Sequence, residues 1–260
     1  MDDLKPFLEE KYRQYNRNWF IESDPVSIPH LYTRKEDIEI AGFLAATIAW
    51  GNRKSILTNA NRLMQLMDNA PYDFVINARA ADLKPLNTFV HRTFNGVDAV
   101  YFIKALRTIY LAHGGMEYAF VSGIKKGDTD VGNAIANFRT LFFSTQHPER
   151  TRKHVSDPLA GSSSKRLCMY LRWMVRKDEF GVDFGIWPSV NAKVSISPAI
   201  LSCPLDVHSG NVARKLGLLQ RTQNDWKAVC ELTNNLRTFD PVDPVKYDIA
   251  LFGLGVFEKF

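Results

Sequence analysis

The stretch CPLDVHSGNVARKLGL, residues 203–218, decides how the rest of the chain is interpreted. Irregular sequence ends at its start, and an amphipathic helical pattern begins after Asp206. Aspartate is a common N-cap, because its carboxylate accepts hydrogen bonds from the free N–H groups of the first helical turn. The position alone therefore predicts a helix cap, and a role towards a substrate requires a second, converging residue.

Helical periodicity extends outward from this stretch over nearly the whole chain and predicts an all-α protein. The segment TRKEDIEIAGFLAATIAW opens with Thr33 and Glu36 at the spacing of a capping box, and its apolar residues predict a central helix. Residues 178–204 are the most irregular part, with room for a short β-hairpin. The expected helices lie within residues 3–16, 33–50, 52–68, 98–115, 128–145, 165–177, 207–218, 222–239 and 243–260.

Composition limits the class of protein. A chain of 260 residues that is 45% hydrophobic can bury a substantial core in one domain or two lobes. The net charge of +5 is compatible with a polyanionic partner without establishing one. Cys168, Cys203 and Cys230 are far apart in the sequence, which predicts free thiols in a reducing cytoplasm. Three cysteines are also too few for a four-cysteine iron–sulfur cluster. No apolar run approaches a membrane span, and the charged N-terminal helix pattern is no secretory signal.

A second stretch, AGSSSKRLCMYLRWMV, residues 160–175, places a turn of small residues before Lys165 and an apolar helix after it. Basic residues dominate its surroundings, and Asp157 is the one acid between residues 150 and 177. Such a patch predicts phosphate contacts that weaken as salt rises. Its basic residues are Arg150, Arg152, Lys153, Lys165, Arg166, Arg172, Arg176 and Lys177.

Together the two stretches resemble the helix-hairpin-helix DNA glycosylases, especially the endonuclease III and 8-oxoguanine glycosylase branches. Gly161 matches the first glycine of the hairpin, Lys165 the nucleophilic lysine and Asp206 the essential aspartate. His208 and the helix NVARKLGL match the histidine and the helix that come after that aspartate in the family. The closing DPVKYDIALFGLG, residues 243–255, resembles a bacterial family of unassigned function within the same superfamily.

This resemblance implies a two-lobed, all-α fold, with residues 40–204 in one lobe and residues 1–39 plus 205–260 in the other. It implies base-excision repair: cleavage of a damaged base, such as an oxidised purine, from double-stranded DNA, with lyase cleavage through Lys165. The segment FLAATIAWGNRKSI, residues 43–56, resembles the turn whose side chain replaces the flipped base. The implied DNA-binding residues are Trp50, Asn52, Arg53, Gly161, Ser163, Ser164, Arg166 and His208, the base-pocket residues are Trp187, Phe184 and Phe257, and no metal or organic cofactor is implied.

The residue types suit this chemistry. Loss of a base builds positive charge on deoxyribose, which an ionised carboxylate stabilises. The lysine attacks only as a neutral amine, and the adjacent Arg166 and apolar neighbours favour that form.

Two departures from the family pattern keep alternatives open. Ser163 replaces the second hairpin glycine, and the insertion before Asp206 is long. A non-catalytic nucleic-acid-binding protein on the same scaffold is the main alternative, and a helical interaction protein unrelated to DNA is another.

Overall fold

The computed structural model describes residues 3–187 and 195–260 and is mostly helical, as predicted. Two short strands, β1 (Val90–His91) and β2 (Phe94–Asn95), pair antiparallel. The α-helices are α1 (Leu4–Tyr15), α2 (Asn18–Ser23), α3 (Lys35–Thr47), α4 (Arg53–Gln65), α5 (Pro71–Asn77), α6 (Gly96–Ala112), α7 (Gly115–Val121), α8 (Gly132–Phe142), α9 (Lys165–Val175), α10 (Val207–Lys215), α11 (Trp226–Phe239) and α12 (Tyr247–Val256). Short 3-10 turns lie at Pro25–Ser27, Pro29–Leu31, Pro85–Thr88, Glu149–His154, Pro198–Ile200 and Pro244–Lys246.

The chain divides into two compact units that differ from the expected lobes. The first unit comprises Met1–Glu22, Ile124–Asn133 and Asp157–Phe260, and the second comprises Ser23–Gly123 and Ala134–Ser156. Residues 157–204, expected apart from residues 205–260, belong with them because ion pairs join α9 to the starts of α10 and α12. Residues 23–39 belong to the second unit because α3 packs on the 3-10 turns that precede it.

In the first unit, α12 packs against both α1 and α10. Its sequence YDIALFGLGV is apolar on nearly every side, which is typical of a buried helix. Gly253 is the point of closest approach to α1: a Cβ there would stand 2.1 Å from the ring of Tyr15. The missing side chain therefore lets the two helices meet.

The second unit is built around α3, whose residues from Ile38 to Thr47 are all buried. Aromatic rings fill its core, with Phe43 stacked on Phe102 at 5.7 Å and edge-on to Phe142 at 5.6 Å. Asn95 and Asp98 form a capping box at the start of α6. The expected central helix is confirmed.

One local expectation is wrong. The N-cap of α3 is Arg34, without a side-chain cap bond, rather than Thr33; the Glu36 carboxylate lies 3.2 Å from the Arg34 Nε instead of closing a capping box. A two-stranded hairpin forms at residues 90–95, where none was expected. In the segment 178–204, the described residues take part in one isolated bridge, between Lys177 and Phe184. Residues 188–194 lie outside the described residues, so the hairpin expected in this segment stays a prediction.

Candidate active site

One oxygen of the Asp206 carboxylate caps a helix. Asp206 is the N-cap residue of α10, and its Oδ1 accepts hydrogen bonds from the backbone N–H of His208 at 2.8 Å and of Ser209 at 3.0 Å. The Ser209 hydroxyl accepts a hydrogen bond from the Asp206 N–H at 3.0 Å, which completes a capping box. Asn224 also donates to the Asp206 carbonyl at 3.0 Å. The backbone of Asp206 is thus fixed from both sides.

The other oxygen faces Lys165. Lys165 is the first residue of α9, and its Nζ lies 2.9 Å from the Oδ2 of Asp206. The side chains are 26% and 24% exposed, so a ligand from solvent has access to both. Asp206 therefore caps α10 and also forms a charged pair with Lys165, which is the second, converging residue that a role towards a substrate requires.

The Asp206 carboxylate remains ionised in this setting. Burial raises the pKa of Asp206, but the charge of Lys165 and the hydrogen bond from the Ser209 N–H lower it by more, so its pKa lies below the ordinary value. A carboxylate that stays ionised near neutrality is the form able to stabilise positive charge on a neighbouring group.

The turn before α9 holds Lys165 in place. The Gly161 carbonyl accepts a hydrogen bond from the Trp226 N–H at 3.0 Å, and Ser162 forms an isolated bridge with Asp225, the N-cap residue of α11. Gly161 has φ 90° and Ser164 has φ 46°, a left-handed conformation that is uncommon for serine. The left-handed conformation of Ser164 therefore places local backbone strain directly before Lys165.

Two arginines of α9, the helix that begins at Lys165, belong to a buried ion-pair network that the sequence did not predict. The Arg172 guanidinium donates to Asp248, in the first turn of α12, and lies 3.2 Å from Asp183. Arg176 bonds to the other oxygen of Asp183 at 2.9 Å and to Asp243 at 2.8 Å. The sequence feature that could have indicated this network is Asp248, a single acidic residue within the apolar stretch YDIALFGLG.

This network corrects the predicted basic patch. Arg172 and Arg176 are only 4% and 2% exposed and bind carboxylates, so they are unable to reach phosphates in this conformation. Arg150 pairs with Asp98 in the second unit at 2.7 Å. Lys177 is exposed, and burial lowers the pKa of Arg166 to about 10. The sequence therefore predicted more basic side chains available to phosphates near Lys165 than the structure presents.

The other residues expected to bind DNA fall into both units. In the first unit, Gly161, Ser163, Ser164 and Arg166 flank Lys165 in the chain, and His208 is exposed in the first turn of α10. Ser164 itself is 2% exposed.

In the second unit, Asn52 caps α4 by accepting from the Ser55 N–H at 3.2 Å, and Arg53 donates to the Ser23 hydroxyl at 3.3 Å. Trp50 packs against His91 and His154, at centroid distances of 5.2 and 6.0 Å.

The three expected base-pocket residues have different surroundings within the first unit. Trp187 is 4% exposed and packs edge-on to Tyr170 at 5.7 Å. Phe184 is half-buried, and its N–H donates to the Trp173 carbonyl at 2.8 Å. Phe257 is 41% exposed and stacks on Tyr15 at 5.5 Å. Trp187 is thus part of the core, and Phe257 is the exposed ring.

Across residues 3–187 and 195–260, no group of three or more histidine, cysteine, aspartate or glutamate side chains is arranged to hold a metal ion. None of the helices in those residues combines the length and the apolar character needed to span a bilayer.

Comparison with known proteins identifies a family. The model of a family described as a protein of unknown function, DUF2400, matches residues 24–257. Curated proteins and solved structures give no significant match. The family match covers most of the chain and includes both Lys165 and Asp206. The chain therefore belongs to the DUF2400 family.

Proposed function

We propose that this protein is a DNA glycosylase that removes a damaged base from double-stranded DNA and cleaves the resulting abasic strand through Lys165. The observation that carries the proposal is the 2.9 Å approach of the Lys165 Nζ to the Asp206 Oδ2 on a partly exposed surface. An amine and an ionised carboxylate this close can both reach one sugar ring. An oxidised purine is the preferred base, on the resemblance of PLDVH alone.

Each residue has a defined task in this chemistry. The Lys165 amine forms a bond to C1′ of the deoxyribose, and the base leaves with the electron pair of the glycosidic bond and takes up the proton that Lys165 gives up. The Asp206 carboxylate stabilises the positive charge that develops on the sugar during this step. Opening of the C1′–O4′ bond, with protonation of O4′ by solvent, leaves a Schiff base. Loss of a C2′ proton then breaks the C3′–O bond and expels the 3′ phosphate.

The arrangement of the site supports this assignment in two ways. Asp206 keeps its capping bonds on Oδ1 while Oδ2 remains directed at Lys165, so substrate can displace the amine without unwinding α10. Lys165 lies at the N-terminus of α9, where the helix dipole favours an anion such as a DNA phosphate.

A non-catalytic nucleic-acid-binding protein is the second candidate. The observation that favours it is the pairing of Lys165 with Asp206, which occupies the amine with a carboxylate of the protein itself instead of leaving it open to a substrate. Trp187, an expected pocket wall, is also buried against Tyr170. On this alternative the protein binds duplex DNA with strong salt dependence and forms no covalent intermediate.

Borohydride trapping on duplex DNA with an abasic site separates these candidates. A reduced protein–DNA adduct that forms with the unaltered chain, and disappears in Lys165→Ala, is the expected result. Lys177→Ala is the matched control, because Lys177 is an exposed lysine beyond the end of the same helix. Salt-sensitive DNA binding without any adduct establishes the binding protein, and no affinity for duplex DNA at low salt contradicts both candidates.

A further inference from the structure

The first unit exposes a group of aromatic rings that the proposed chemistry does not use. Trp19 of α2 is 45% exposed, and Phe257 and Phe260, at the end of α12, are each 41% exposed. Phe7 of α1 packs against Phe260, with their ring centres 6.5 Å apart. Aromatic side chains gain much from burial, so several exposed rings on one surface indicate a site for another molecule. We call these four rings the aromatic platform.

Buried aromatic neighbours fix two rings of the platform. Trp19 meets Phe257 edge-on, with their ring centres 5.4 Å apart. The buried Tyr15 stacks on Phe257 at 5.5 Å and meets Trp19 edge-on at 6.3 Å. The buried Phe20 packs edge-on against Trp19 at 6.5 Å. Both exposed rings are therefore held in place before anything binds, which reduces the entropy lost on binding.

Lysine side chains accompany the other two rings. The Lys215 Nζ lies 5.7 Å from the centre of the Phe260 ring, and the Lys11 Nζ lies 5.7 Å from the centre of the Phe7 ring. The electrostatic attraction between an ammonium group and an aromatic ring holds such pairs together. The platform therefore combines flat apolar surfaces with positive charges.

The charged groups around the platform leave an excess of positive charge. Glu258, which follows α12, pairs with Lys11 at 2.7 Å. Lys215 and Lys259 are exposed, and neither has an ion-pair partner within residues 3–187 and 195–260. Single-stranded DNA combines phosphates, which bind cations, with unstacked bases, which stack on aromatic rings. An acidic peptide would use the lysines alone, and a second copy on the same surface would bring like charges together.

The platform lies along two helices that also reach the candidate site. From the Asp206 cap to Lys215, α10 covers about 14 Å. The end of α12 packs on the first turn of α10: a Cβ at Gly255 would lie 3.3 Å from the Cβ of His208. A strand bound at the Lys165–Asp206 pair can therefore continue along α10 to the platform.

We propose that the aromatic platform binds single-stranded DNA, with unstacked bases on Trp19 and Phe257 and with phosphates beside Lys215 and Lys259. The choice of DNA rather than RNA rests on the proposed function. The binding itself requires neither a lesion nor cleavage, so it is measurable apart from repair.

The test compares two fluorescently labelled decamers of equal charge by anisotropy at low salt, on the full chain. One is a thymidine decamer, and the other is a chain of propanediol phosphates without bases or sugars. Stacking on the platform lowers the dissociation constant of the thymidine decamer about fivefold or more relative to the propanediol decamer.

Variants of the two fixed rings locate the binding. Trp19→Leu and Phe257→Leu each raise the dissociation constant of the thymidine decamer about fivefold or more and leave that of the propanediol decamer unchanged. Trp19→Phe retains a ring and restores most of the affinity. Tyr118→Leu is the matched control, because Tyr118 is an exposed ring of the second unit, and it changes neither constant.

Four results overturn the proposal. They are equal affinity for the two decamers, unchanged thymidine binding in both leucine variants, tighter binding of a uridine decamer, and a dimer in light scattering that Trp19→Leu dissociates. Should the leucine variants not fold, Lys215→Gln on an exposed side chain decides. It weakens binding of both decamers by removing a phosphate contact, and unchanged binding contradicts the proposal.

The proposed function fails separately from this inference. Base-dependent binding that requires Trp19, together with no adduct on abasic DNA, retains the platform and removes the lyase. An adduct at Lys165 together with equal affinity for the two decamers retains the lyase and removes the platform.

Discussion

The Nζ of Lys165 and the Oδ2 of Asp206 lie 2.9 Å apart, although the two residues are distant in the sequence. The contact joins the first residue of α9 to the N-cap residue of α10. Both side chains therefore extend from the N-terminal ends of helices, where hydrogen bonds within the first helical turn fix the backbone. The two oxygens of Asp206 have different partners: Oδ1 accepts a hydrogen bond from the backbone of α10, and Oδ2 faces the Lys165 amine.

Substitution of Asp206 separates its two roles. Asparagine is also a good N-cap, so Asp206→Asn retains the helix cap and changes the free energy of unfolding by less than about 1 kcal/mol, while Asp206→Ala loses the cap and costs about 1–2 kcal/mol. Adduct formation on abasic DNA falls sharply in both variants, because both lack the carboxylate. Urea unfolding and trapping on the same samples check this. An Asp206→Asn variant that traps DNA as well as the unaltered chain shows that the carboxylate only caps.

Asp98 makes the second unit sensitive to acid. Its buried carboxylate binds Arg150 and Thr151 at 2.7 Å each and lies 3.3 Å from the Nε2 of His154. Burial raises the pKa of Asp98, but the close approach of the His154 ring and hydrogen bonds from the Asn95 N–H and the Thr151 hydroxyl outweigh it and lower the pKa to about 2.

A pKa lower in the folded than in the unfolded chain stabilises the folded state above pH 4, and that contribution disappears as the pH falls towards 2. We expect Asp98→Asn to lower the free energy of unfolding at pH 7 by about 2 kcal/mol, and the difference from the unaltered chain to shrink between pH 4 and pH 2. Urea unfolding at several pH values measures this. A difference that is constant from pH 7 to pH 2 contradicts the role given to the ionised carboxylate.

Gly253 sets the distance between α1 and α12. A Cβ at this position overlaps the Tyr15 ring, so Gly253→Ala forces the helices apart and costs about 1–3 kcal/mol of unfolding free energy. Gly255→Ala is the control two residues away: its Cβ would lie 3.3 Å from the His208 Cβ and the Val212 Cγ2 and 3.4 Å from the His208 backbone carbon, so it requires much smaller shifts than a Cβ at Gly253. Thermal unfolding compares the two variants. Equal melting temperatures for both contradict the close packing of α1 on α12.

The helices were predictable from sequence because they depend on local patterns. Apolar residues at helical spacing identified α3, α6, α11 and α12, since a helix that packs against others must present an apolar face. Lys165 and Asp206 were singled out by the resemblance of their two stretches to the glycosylase motifs, because local position alone predicted only a helix start and a cap. The structure brings these two residues together.

Tertiary contacts account for what the sequence did not predict. Arg172 and Arg176 appeared as part of a basic surface, but Asp183, Asp243 and Asp248 bind them in the interior. Of these carboxylates, Asp243 and Asp248 lie far along the chain from the two arginines. Thr33 has the spacing of a cap, but an ion pair with Arg34 occupies the Glu36 side chain that would have completed it. Partners of this kind depend on packing, which no local pattern encodes.

Peptide mapping of the borohydride-trapped adduct measures the central relationship most directly. After reduction of the complex with abasic duplex DNA and proteolysis, mass spectrometry locates the residue that carries the deoxyribose fragment. If the amine beside Asp206 is the nucleophile, the added mass lies on Lys165. A fragment on another lysine or on the N-terminal amine, or the complete absence of an adduct under conditions where the chain is folded and bound to DNA, contradicts this.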